Sequence, residues 1–171
     1  MTAPGAGPGR RARGVGLLEV LLAVVLVSIG FLATARMQVQ SLSAGQNAHA
    51  LSQAKFLLME VGERMRANRA GLRAGLYDGA SSASADASVP ACRAAGTACT
   101  PADVVAADLA DWRARIDGGG GVSPLLPSGP GIDARLEIAA DAGGTRTVSV
   151  SFAERTPGGL AERTVSIQVN E

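Results

Sequence analysis

"RRARGVGLLEVLLAVVLVSIGFLATARMQ", residues 10–38, sets one glutamate, Glu19, inside an apolar run that follows three arginines and a glycine. Between Val15 and Ala35 no other residue is ionisable, and the run is long enough to cross the ~30 Å hydrocarbon core of a bilayer as a helix. A carboxylate in such a run costs on the order of 2.5–3.5 kcal/mol on insertion scales, so it implies a partner or a special route through the membrane. Arg10, Arg11 and Arg13 lie on the N-terminal side, and Arg36 is the first charge beyond the run. That distribution favours an N-terminus held in the cytoplasm.

The helical pattern continues past Arg36. Leu51, Ala54, Leu58, Val61 and Met65 alternate spacings of three and four, which makes one apolar stripe, while Gln53, Lys55, Glu60 and Glu63 lie off it. No proline interrupts Val15 to Asn68, so a single helix of roughly 80 Å is expected at about 1.5 Å per residue. Gly30, Gly45 and Gly62 are its expected soft points, each costing about 1 kcal/mol relative to alanine.

Upstream, residues 1–14 are rich in Pro, Gly and Arg without apolar period and read as a basic leader. Downstream, residues 70–131 read as a connection containing turn-rich and Ala/Ser-rich sequence and one short helix, 101–117. Thr100 is that helix's expected N-cap, with Pro101 at its first position and Asp103 in its first turn; Val105, Leu109, Trp112 and Ile116 share one face. Residues 118–121, four glycines, end it. Over 132–171 the period changes to two: Leu136 and Ile138, then Val148, Val150 and Phe152, then Val165, Ile167 and Val169, separated by "DAGG" and "TPGG". The expectation is an α+β fold in which the amphipathic residues 36–69 cover one face of an antiparallel β-meander, with the apolar residues 15–35 as the transmembrane half of the same helix.

Composition narrows the function. The chain has 171 residues, 47% hydrophobic and 18% charged, which excludes full disorder and allows one modest core. Its net charge is +1, and loss of Arg10, Arg11 and Arg13 from the sixteen basic residues would leave thirteen against fifteen acidic, about −2. General nucleic-acid binding has no electrostatic basis there. Catalysis has little to stand on: His49 is the single histidine, no glycine-rich phosphate loop opens a helix, and no metal or cofactor is indicated. Asp103, Asp108 and Asp111 read as a solvated helix face, and His49 as a surface residue. The two cysteines, Cys92 and Cys99 in "CRAAGTAC", lack further ligands at metal spacing and read as a short disulfide, which would place the domain outside the cytosol.

Three ordinary readings compete for the N-terminal stretch. They are a secretory signal cleaved at "ATA", residues 33–35, a plain signal anchor with Glu19 near the interface, and a buried core helix. The run exceeds the usual 7 to 15 residues of a signal core, and its length also argues against a core helix.

"RARGVGLLEVLLAVVLVSIG" resembles the class III signal of type IV prepilins and pseudopilins, where a basic leader ends in glycine ahead of an apolar helix with glutamate at its fifth position. The resemblance implies a pilin-like fold, cleavage by a prepilin peptidase between Gly14 and Val15, N-methylation of Val15, and a role for Glu19 in assembly. Val15 stands where the family usually has phenylalanine, and Gly16 where threonine or serine is common. "ERMRANRAGLRAGLYDG", "DLADWRARI" and "LLPSGPG" are similar to the PilV subgroup of minor pilins, the type IV pilus modification proteins. Relatives often carry tryptophan at the position of Phe152. The resemblance implies a non-enzymatic inner-membrane protein with one span and a periplasmic domain, whose partners are the peptidase and other minor and major pilins, and which ends in the pilus or at its tip. A minor pseudopilin of a type II secretion system is the alternative, and a membrane-tethered periplasmic enzyme or binding module a more distant one.

Overall fold

The computed structural model describes residues 16–84, 98–121, 123–141 and 143–170. Helix α1 (Leu17–Ala67) is followed by α2 (Arg69–Arg73), a 3-10 turn at Ser82–Ser84, α3 (Pro101–Asp117), a second 3-10 turn at Gly119–Gly121, and strands β1 (Arg135–Ala140), β2 (Arg146–Thr156) and β3 (Gly159–Val169). The chain divides into two compact units, the first ending at Leu42 and the second being Ser43–Glu171.

In the first unit α1 is apolar from Leu17 to Ala35 apart from Glu19, Ser28 and Thr34, and its large side chains there are exposed. Leu18, Leu22, Leu26 and Ile29 all face outward, as do the other large side chains from Leu17 to Leu32. The most apolar 18-residue window of α1 has mean hydropathy 2.5 with no buried residue, so this helix is long and apolar enough to cross a membrane.

The second unit holds the core. Ala50, Ala54, Leu57, Leu58, Val61 and Met65 of α1 are buried together with Trp112 and Ile116 of α3, Leu136 and Ile138 of β1, and Val148, Val150 and Phe152 of β2. Ala54, Leu58, Val61 and Met65 of the expected stripe are therefore the core face of α1, joined by Ala50 and Leu57, whereas Leu51 is half-buried and lies outside the core cluster. The three strands form an antiparallel meander in the order β1-β2-β3, pairing Ile138 with Val148 and Val148 with Ile167. Alternation puts the apolar set on the face that α1 covers.

Gly62 is not a soft point. It is buried, and a Cβ built there would lie 3.2 Å from Ile167 Cδ1 and 3.6 Å from Val169 Cγ2. The missing side chain lets α1 approach β3, and α1 runs unbroken through Gly30, Gly45 and Gly62.

Helix α3 starts where its sequence signals place it. The Thr100 side chain accepts from the Asp103 backbone and the Asp103 carboxylate accepts from the Thr100 backbone, completing a capping box, and Gly118 ends the helix with φ at 78°. These bonds from Thr100 hold the Asp103 carboxyl below its ordinary range.

The connection contributes more to the fold than its turn-rich sequence implies. Leu72 and Tyr77 are buried, and residues 79–82 line the free side of β1: Gly79 donates to the Ile138 carbonyl, Ile138 donates to Ala80, and Leu136 donates to the Ser82 hydroxyl at 3.0 Å. Beyond the end of β1, the side-chain amide of Asn47 pairs with both backbone groups of Arg155 on β2, at 2.7 and 3.2 Å. A helix side chain thus takes up ladder groups that β1 is too short to reach.

Candidate functional site

Helix α1 begins at Leu17, so Glu19 lies in its first turn, where a carboxylate complements the helix dipole by some tenths of a kcal/mol. Three polar side chains interrupt the apolar stretch from Leu17 to Ala35, and they fare differently. The Ser28 hydroxyl donates to the Val24 carbonyl at 2.7 Å, and that of Thr34 donates to the Phe31 carbonyl at 2.8 Å. Both satisfy themselves on their own helix. Glu19 is exposed and, among the described residues, meets no cation and accepts no hydrogen bond to its side chain. Of the three, its side chain alone has no hydrogen bond on its own helix. Gly14 and Val15 lie outside the described residues.

At the other end of α1 a polar network joins three elements of the second unit. Arg64 spans Glu60 at 2.9 Å, Asp111 at 3.1 Å and Asp108 at 3.2 Å. Glu60 also pairs with Arg115 of α3. The Tyr77 hydroxyl donates to the second oxygen of Asp108 at 2.9 Å and receives the Asn68 amide at 3.3 Å. Asn68 breaks the helix after Ala67, caps α2 through the Gly71 backbone, and donates to the Pro101 carbonyl at 3.0 Å. Burial pushes the Tyr77 phenol well above its ordinary range, and the Asp108 charge adds to the shift.

This network corrects the reading of the aspartates as a solvated face. Asp108 is only 6% exposed, and Asp111 is held by Arg64. Periodicity failed because the partners come from a distant segment, Arg64 being 44 residues from Asp108. Trp112 does dock α3 as expected, fully buried with its ring centroid 6.4 Å from that of Tyr77. His49 is exposed on α1. Cys99 is not a free thiol, and Cys92 lies outside the described residues. Among the described residues no group of three or more His, Cys, Asp or Glu side chains is placed to hold a metal ion.

A long N-terminal apolar helix joined to a small three-stranded antiparallel sheet makes an α+β architecture consistent with the type IV pilin fold. Residues 36–110 match the family model Tt1218-like, described as type IV pilin Tt1218, which supports a type IV pilin family for this chain. The match takes in the amphipathic half of α1, the Asn68 break and most of α3; the Glu19 stretch and the sheet lie outside it. No curated protein and no solved structure matches the chain.

Proposed function

We propose that the chain is a minor type IV pilin of the PilV kind, made as an inner-membrane prepilin, cut between Gly14 and Val15, methylated at Val15, and packed by its apolar helix among other pilins to prime or modify a pilus. Before assembly it spans the inner membrane once, N-terminus in the cytoplasm and the Ser43–Glu171 unit in the periplasm. There Cys92 and Cys99 close a short disulfide loop. Its working parts are packing surfaces rather than a catalytic centre.

The observation that carries this reading is Glu19, without a partner among the described residues, in an apolar stretch whose other two polar side chains, Ser28 and Thr34, bond to their own helix. Cutting after Gly14 frees an amine at Val15, four residues and about 6 Å along the axis from Glu19, with an ordinary pKa near 8 and so a positive charge at neutral pH. An incoming subunit whose Glu19 meets such an amine on a neighbour gains a buried ion pair. One out of register leaves a charge unpaired at a cost of roughly 3–5 kcal/mol. The carboxylate therefore selects register.

The test is Glu19→Val in a strain that assembles pili. The variant is expected to reach the membrane, lose its leader and fail to enter pili. Unchanged incorporation would remove Glu19 from the mechanism, and a secretion defect with normal pili would make the protein a pseudopilin.

A further inference from the structure

Arg66, Arg69 and Arg73, at spacings of three and four across the Asn68 break, surround a cavity of about 290 Å³ completed by Leu72 and Asn170. Among the described residues of this unit, Arg64, Arg113, Arg115, Arg135, Arg146 and Arg163 each meet a carboxylate. Arg66 holds Glu63 at 2.9 Å in an exposed pair. Arg69 and Arg73 are exposed and, among the described residues, have no carboxylate partner. Two uncompensated guanidinium groups thus border a concave space with an apolar floor, since Leu72 belongs to the core.

We propose that this cavity binds an acidic segment of a protein partner, with Arg69 and Arg73 taking its carboxylates. The planar guanidinium fork donates two parallel hydrogen bonds to a carboxylate, and the Asn170 amide offers a donor and an acceptor to a peptide backbone. The size suits one or two side chains rather than a long polymer. A single-stranded nucleic acid would need an extended basic track with exposed aromatic platforms, whereas Tyr77 and Trp112 are buried. This inference stands apart from the membrane helix and from Glu19.

The experiment measures fluorescence anisotropy of a labelled hexaglutamate peptide titrated with the detergent-solubilised full chain at low ionic strength. Saturable binding that weakens with salt is expected. Arg69→Glu should lower the affinity about tenfold or more, the loss of one charge-assisted pair. Arg155→Glu makes the same charge change at an exposed position late in β2 and should leave the affinity largely unaltered. Absence of saturable binding, or an equal loss in both variants, would overturn the proposal. So would tighter binding of an oligothymidylate of the same charge, which would make the face a nucleic-acid surface.

Discussion

The Tyr77 hydroxyl donates a 2.9 Å hydrogen bond to Asp108, tying the turn after α2 to the buried side of α3. Tyr77 is the sole tyrosine of the chain, so its ionisation can be followed without interference. Burial raises the phenol above its ordinary 10.0, meaning that the folded state keeps this proton to higher pH than the unfolded state does. The resulting stability is complete below about pH 10 and declines as the pH rises towards the folded value. Tyrosinate absorbance should therefore appear only well above pH 10 in the folded protein, and Tyr77→Phe should flatten the alkaline loss of stability. A phenol titrating at its ordinary value would contradict the buried placement.

Asp108→Ala strips two partners at once, leaving the Tyr77 hydroxyl without an acceptor and Arg64 with fewer carboxylates. The expected cost is about 1–3 kcal/mol, the penalty of a buried polar group left unpaired. Asp103→Ala removes only the half of the capping box in which the carboxylate accepts from the Thr100 backbone, and should cost less. Denaturant unfolding of the solubilised chain, read by its single tryptophan, distinguishes the two. A smaller effect at Asp108 than at Asp103 would return Asp108 to the solvated face.

Gly62→Leu should destabilise by about 1–3 kcal/mol through overpacking, because the new side chain would meet Ile167 and Val169. The same change at Gly45, where nothing lies within 4 Å, should be neutral or stabilising, as leucine is the better helix former. Equal melting shifts in the two variants would mean that α1 does not depend on the close approach to β3.

These contrasts also mark what a sequence reveals. The apolar stripe from Ala54 to Met65, the Thr100 cap and the three alternating runs are local patterns, each set by neighbours within a few residues, and each appears in the fold. Asp108, Gly62 and Tyr77 depend on segments far away in the chain, and nothing in their immediate neighbours distinguishes them from a solvated carboxylate, a helix-weakening glycine and a loop aromatic. Asn68 lies between these cases. An asparagine in "RMRANRAG" is a local break signal, but its bonds to Tyr77 and the Pro101 carbonyl come from tertiary packing. Glu19 was legible because a charge in an apolar run violates a local rule.

Trp112→Ala should be the most damaging of the core changes at about 3–5 kcal/mol, since the side chain is fully buried in the core cluster beside the Tyr77 ring. The indole nitrogen has no hydrogen-bond partner among the described residues, so Trp112→Phe should cost clearly less than the alanine change. Circular-dichroism melts of both variants give the comparison. Equal losses would show that the indole makes a polar contact that phenylalanine cannot replace.

The proposed pairing of Glu19 with an amine freed at Val15 makes the mature N-terminus the decisive measurement, determined by mass spectrometry of protein taken from membranes and from sheared pili. The expected result is a chain that begins at Val15 and carries one methyl group on its amine. A chain beginning at Arg36, or one that keeps Arg10 to Gly14, would contradict it.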